Sequence, residues 1–232
     1  MDLKSMTIHD YSSKVLTHYL LLDKDFISTL NYVYLDNDNY ETFSNIYLKQ
    51  LLSIGSEIGF LMNELVNYYT GIKKDRDFPT CYSEIQAKSK YKLDKIKIGF
   101  RDERFSHLPI FNPWLDKIKD SKGKDHISWW YFYNKIKHSR LEITSSFNNN
   151  KEYYKYATLK NVLYSLAALF SPEFIAYREI HTNDNKKNKK SYPFVPLYKT
   201  VFKVTNLGWE NYKYNHGHVE STDEPVFWTL ND

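Results

Sequence analysis

The sequence predicts a mainly α-helical protein, and two observations carry that expectation. Only 7 Gly and 7 Pro occur in 232 residues, too few for the tight turns of a sandwich or propeller. Long stretches instead repeat apolar residues at spacings of three and four, the period of one helix face. A hydrophobic content of 42% with 26% charged residues falls in the globular range, with enough apolar surface to bury a core. The expected architecture is all-α: an antiparallel bundle of about four main helices, an irregular insertion and a small β-rich C-terminal appendage.

Val15, Tyr19, Leu22, Phe26, Leu30 and Val33 mark the first helix, with Asp10, Ser12 and Ser13 as caps before it. The cluster Asp36-Asn37-Asp38-Asn39 breaks the pattern as a loop. The second helix has the cleanest stripe: Tyr47, Leu51, Ile54, Ile58, Leu61, Leu65 and Tyr68, with Gly71 placed for a C-terminal cap. Two helices joined by so short a polar loop pack antiparallel. Residues 72–125 are less regular. Ile96, Ile98 and Phe100 alternate with Lys95, Lys97 and Gly99, which predicts a short strand or extended loop. Lysines 88, 90, 92, 95 and 97, with Arg101 and Arg104, are offset by Asp94, Asp102 and Glu103 and read as a solvated surface. Asn112-Pro113-Trp114 predicts a short helix with proline at its first position, ended by Lys122-Gly123-Lys124.

A third helix is expected over 127–143. A fourth carries Leu159, Val162, Leu163, Leu166, Leu169 and Phe170, and Ser171-Pro172-Glu173 stops or kinks it before a short continuation through Tyr177. The helical domain then spans 1–182, a basic linker 183–191 and the appendage 192–232. Within the last, Tyr198 to Thr205 is β-prone, and Asn206, Gly208 and Gly217 supply turn signals.

Several function classes are disfavoured. The single cysteine, Cys81, allows no intrachain disulfide and no zinc cluster, and reads as an inert thiol. The first ten residues lack the apolar core of a signal peptide, and the run Val162 to Phe170 is too short to cross a bilayer. A cytoplasmic protein without membrane association is expected. The net charge of +4 permits nucleic-acid contact without arguing for it. Glycine-rich nucleotide loops, a nucleophile elbow and H-E-x-x-H are all missing from the sequence, so no cofactor is expected. In the tail, His216 and His218, with Asp223 and Glu224 downstream, form a weak metal-ligand spacing. A turn with exposed histidines is the preferred reading there, and no metal is expected. Trp114, Trp209 and Trp228 read as packing residues, with base stacking as the other use of an exposed tail aromatic.

The informative segment is His126 to Arg140. On a helical wheel Trp129, Phe132, Ile136 and Ile143 share one side, a core stripe. The other side carries Trp130, Tyr133, Asn134, Lys137, His138 and Leu141. Asn134, Lys137 and His138 are neighbours at i, i+3 and i+4. Two readings stay open: hydrogen-bonded packing at a helix interface, or a reactive cluster. Cleaving RNA without a metal needs a proton-transfer group and a cation for the phosphoryl charge. His138 suits the first role, Lys137 and Arg140 the second, and Asn134 can orient either. Glu57 borders the stripe Ile54, Ile58, Leu61, where a carboxylate requires a partner. His138 or Lys137 is its candidate, and a plain surface acid is the alternative.

The run Tyr133-Asn134-x-x-x-His138 resembles the signature of the HEPN superfamily, an Arg, then four to six residues, then a His, with a polar residue directly after the Arg. The wider string Trp130-x-x-Tyr133-Asn134-x-x-Lys137-His138-x-Arg140, with Pro113-Trp114 and the Ser56-Glu57 helix before it, is similar to uncharacterised HEPN-like bacterial proteins. The resemblance covers about residues 10–180 and implies a helical bundle that forms a homodimer. It also implies a metal-independent endoribonuclease in toxin–antitoxin or anti-phage systems, with RNA and an antitoxin or defence protein as partners. Tyr133 stands where the family has Arg, so Lys137 or Arg140 must supply the cation, or catalysis is lost. The alternative is a non-catalytic helical dimerisation or nucleic-acid-binding module. A metal-dependent hydrolase using the tail histidines is a third, remote reading.

Overall fold

The computed structural model describes residues 2–139, 155–188 and 200–205, and these are mostly helical. The chain enters through a short helix α1 (Ile8–Tyr11), a π-helical turn (Ser12–Leu16) and α2 (Thr17–Thr29). Thr7, not the expected Asp10 or serines, is the N-cap, and its hydroxyl accepts from the Asp10 amide. Ser12 and Ser13 instead donate back to the carbonyls of Ile8 and His9 inside the helix, as short hydroxyl side chains do. A 3-10 turn (Asn37–Asn39) occupies the expected loop. Helix α3 (Asn45–Thr70) then runs as its stripe predicts, from a Ser44 cap to Gly71 at φ 72°. Leu51, Ile54, Ile58, Leu61 and Leu65 are fully buried. Each such side chain contributes about 1.5–3 kcal/mol by leaving water.

Three expectations for the middle of the chain are corrected. Residues 78–88 form a helix, α4 (Phe78–Lys88), capped by Asp77 with proline at its start. Asn112-Pro113-Trp114 starts no helix, because the Asn112 carboxamide accepts the Trp114 amide at 2.8 Å and closes a local turn. The segment leads into a hairpin of β2 (Lys117–Lys119) and β3 (Asp125–Ile127), turned through Gly123 at φ 78°. Strand β1 (Ile98–Phe100) appears as expected. It pairs antiparallel with β4 (Phe202–Val204), Gly99 opposite Lys203, so residues 202–204 join the helical body through β1.

Helix α5 (Ser128–Ser139) precedes α6 (Leu159–Asn188). Pro172 does not stop α6, and the helix runs on through 183–188, the first part of the segment read as a linker. Pro172 costs one backbone hydrogen bond, but Ser171 to Tyr177 are buried on all sides, and packing outweighs the local propensity. Residues 141–143, the rest of the linker and the tail after 205, with His216, His218, Trp209 and Trp228, lie outside the described residues.

Helix α6 packs along α3 and also touches α1, α2 and α5. The bundle is not wholly antiparallel. Thr29 lies by Tyr47 and His18 by Glu57, so α2 and α3 run in opposite directions as expected. The Leu159 amide donates to the Thr42 carbonyl at 2.8 Å, and Tyr69 donates to Glu179 at 3.0 Å, so α3 and α6 run parallel. The long connection between them, carrying α4, β1, the β2–β3 hairpin and α5, makes that crossover achievable.

Helix α5 is set on α3 through a close contact. A Cβ placed on Gly55 would lie 2.4 Å from Cδ2 of the Tyr133 ring. Gly55→Ala is therefore expected to cost roughly 1–3 kcal/mol by overpacking, a fall of about 5 °C in Tm. At Gly59 an added Cβ meets nothing within 4 Å, so Gly59→Ala is expected to stabilise by about 1 kcal/mol or less through helix propensity. Thermal melts of the pair decide this. Equal stability of the two variants removes the Gly55–Tyr133 contact.

Candidate functional site

Helix α5 begins at Ser128, whose amide donates to the Asp116 carbonyl at 2.9 Å and whose hydroxyl donates to the Asp116 carboxylate. Its buried stripe is Trp129, Tyr133 and Ile136, not Trp129, Phe132 and Ile136. The Trp129 indole donates to the Pro113 carbonyl at 3.1 Å and meets Trp114 edge-on. Phe132 is rotated to the flank, half-buried and stacked on Tyr156 at 4.9 Å. The substitution of Tyr133 for Phe132 in the stripe follows from Gly55, which opens space for a ring on α3. A glycine inside an otherwise apolar helix stripe is the sequence signal for it.

The consequence for the proposed cluster is direct. Tyr133, which the resemblance noted above aligns with an Arg, is only 4% exposed. Its ring lies 4.9 Å from Trp130, and the Lys137 ammonium sits over it at 5.6 Å. Asn134 is half-buried and spends one amide hydrogen on the Trp130 carbonyl at 3.0 Å. Lys137 and His138 are exposed in the last turn. There the carbonyl ends of the helix attract positive charge. Asn134, Lys137 and His138 thus leave the helix on the sides away from Trp129 and Ile136, as the wheel requires. Arg140 lies outside the described residues.

Glu57 does not join them. Its carboxylate faces α2, with Oε2 3.9 Å from Nδ1 of His18. Gly55 and Glu57 are two residues apart on α3, about 200° around the helix, so the turn that receives Tyr133 points Glu57 elsewhere. Burial raises the Glu57 pKa, opposed by His18.

Glu57 borders a buried acidic group that sequence reading missed. Glu173 on α6 is fully buried, and the Tyr11 hydroxyl donates to its Oε2. Its Oε1 has no partner among the described residues. Burial pushes its pKa up to about 8, the Tyr11 bond pulls it down, and the Glu57 charge adds to the rise. Asp23 on α2 is 2% exposed and accepts from the Val201 amide at 3.2 Å and from Tyr19 at 3.4 Å. Burial dominates and raises it to about 7. Asp23 had a sequence signal, since it sits four after Tyr19 and three before Phe26 in the apolar stripe. Glu173 had none, because the preceding proline suggested a helix end.

A second feature flanks α5. A groove of about 440 Å³ beside Ser128 and Phe132 is lined also by Phe43, Asp116, Tyr156, Lys160 and Asn161. Asp116 is engaged on both oxygens, by Ser128 on one and by the Lys160 ammonium at 3.4 Å on the other. Cys81 is buried, and burial drives its thiol pKa to about 11, so it is a poor nucleophile. Among the described residues no three metal-ligating side chains cluster, and no helix is long and apolar enough to cross a membrane. Comparison of the chain with protein-family models, curated proteins and solved structures finds no match.

Proposed function

We propose that this chain is an RNA-directed effector, a metal-independent endoribonuclease of bacterial defence or toxin–antitoxin regulation, acting through the outer face of α5. One observation carries the reading: Trp129, Tyr133 and Ile136 clamp the helix so that Lys137 and His138 project from its last turn with Asn134 beside them. In the reaction the ribose 2′-oxygen attacks the adjacent phosphorus while its proton passes to a base. The 5′-oxygen leaves with a proton from an acid, giving a 2′,3′-cyclic phosphate and a 5′-hydroxyl. One imidazole can serve either proton step, and a homodimer pairing two α5 faces supplies two. Lys137 offsets the charge that grows on the phosphoryl oxygens.

Purified protein is expected to cleave single-stranded RNA in the presence of a chelator, and His138→Ala is expected to abolish cleavage. Asn134→Ala and Lys137→Ala are expected to lower the rate by on the order of 10²-fold each. A specific observation favours the second reading, a non-catalytic dimerisation or nucleic-acid-binding module: the position of the family's Arg is a buried ring packed on Gly55. Light scattering and product analysis separate the two. A dimer that binds RNA, leaves it intact and is indifferent to His138→Ala supports the module. A strict monomer that neither binds nor cuts RNA removes both.

A further inference from the structure

Strand β4 comes from late in the chain, yet parts far apart in sequence hold it against the helical body. The Arg101 amide donates to the Val201 carbonyl at 2.9 Å and the Thr205 amide to the Lys97 carbonyl at 3.0 Å, on either side of the ladder with β1. Phe202 is fully buried, its ring 5.7 Å from Phe100, 6.1 Å from Phe170 and 6.4 Å from Phe111. Val201 and Val204 are buried beside it, and Lys203 is exposed. Where the ladder ends, the Val201 amide donates to both oxygens of Asp23 on α2, at 3.3 and 3.2 Å. Asp23 is itself buried, and its further donor is the Tyr19 hydroxyl at 3.4 Å. The charges on the surrounding elements act elsewhere. Arg101, just after β1, and Glu173 on α6 act on Tyr19 in opposite directions, and Glu57 on α3 acts on Tyr11 and Glu173. Asp23 thus holds the strand through hydrogen bonds, in a place where a carboxylate is poorly solvated.

We propose that residues 200–205 form a proton-released strap: with Asp23 protonated they lie along β1, and loss of that proton lets them leave, uncovering the β1 edge and its socket of Phe100, Phe111 and Phe170. The docked strap keeps Asp23 dry. An ionised carboxylate there loses more hydration than its two hydrogen bonds return, and departure of the strap lets water reach it. The sign follows from the carboxyl itself, whose folded pKa of about 7 stands above the ordinary 3.8 because of burial. The proton is bound more tightly with the strap docked than with it released. The strap's hold is therefore complete below the ordinary value, weakens by up to about tenfold per pH unit as pH rises toward 7, and levels off above it. Release leaves the backbone groups of β1 that faced β4 unpaired, and such an edge is a template for another strand. The strap is in this way a cover on a pairing edge, held closed by one proton.

The test is amide hydrogen exchange of the full-length protein, followed by NMR from about pH 5 to 8 and expressed as protection factors corrected for intrinsic exchange. The Val201 and Thr205 amides are expected to lose about tenfold or more of their protection between about pH 5 and 7. The Leu61 amide, inside α3, reports opening of the whole fold and is expected to lose less. Asp23→Asn keeps an oxygen to accept the Val201 amide but cannot ionise, so its Val201 and Thr205 protection should be the same across the series. Constant protection of these amides in the parent overturns the strap. A fall that Leu61 matches also overturns it, because the strand then opens only with the entire fold. If Asp23→Asn retains the parent's pH dependence, a different group controls the strand and the role of Asp23 is refuted. Should Asp23→Asn fail to fold, the comparison of strand and helix amides in the parent decides alone.

Discussion

Tyr133→Arg is expected to unfold or severely destabilise the protein, by about 3 kcal/mol or more, rather than to restore a missing catalytic cation. The ring is 4% exposed, lies against the bare Cα of Gly55 and is covered by Trp130. A guanidinium at that place either loses its hydration or swings outward and leaves the ring's volume empty, and each outcome is costly. The Lys137 ammonium, now over the ring at 5.6 Å, becomes a like charge beside the new one. With a loss of that size, Tm should fall by about 10 °C. Tyr133→Phe keeps the ring and is expected to change stability by about 1 kcal/mol or less. Circular dichroism melts of the two variants test the claim. A Tyr133→Arg protein that melts with the parent and cleaves RNA faster would return the position to the reactive face and refute the packing role.

Periodicity is a sufficient guide to this chain where local signals agree. In α3 the apolar stripe and Gly71 agree with one another, and the helix ends where they place it, while its Ser44 cap is seen only in the structure. The outward direction of Asn134, Lys137 and His138 on α5 was legible for the same reason, since a wheel needs only spacing. What failed was anything set by a partner far along the chain. Tyr133 and Phe132 are equally apolar to a wheel, and only Gly55, on another helix, decides which of them goes inward. Glu57 was assigned the wrong neighbour because the facing helix is a tertiary fact, and that helix is α2 with His18. Pro172 stops a helix by local rules, but here α6 runs through it with the residues on either side buried. Parallel packing of α3 and α6 has no local signature at all, because it depends on how the intervening segment closes.

Stability is expected to be greater at mildly acidic than at alkaline pH. Glu173 and Asp23 are buried carboxyls whose folded pKa values stand at about 8 and about 7, against ordinary values of 4.5 and 3.8. Both therefore bind a proton more tightly folded than unfolded. The stability this contributes is fully present below the ordinary values, declines as pH rises between them, and is lost above pH of about 8. Each group's share is on the order of 4–5 kcal/mol at most. The carboxylates shifted the other way, Asp10, Asp77, Asp102 and Asp120, are held low mainly by hydrogen bonds to neighbouring side chains at the surface. Their contribution is lost only as pH falls below about 4, so a series from pH 5 to 8.5 reads the buried pair together with the raised carboxyl of Glu57. Urea denaturation over that series should show a loss of several kcal/mol toward the alkaline end. Glu173→Gln gives the sharper result. The amide oxygen can accept the Tyr11 hydroxyl as Oε2 does, but the group cannot ionise. Its stability should match the parent near pH 5 and exceed it at pH 8.5. A variant weakened equally at both ends would mean that Glu173 is held as an anion, with its charge compensated by a partner not among the described residues.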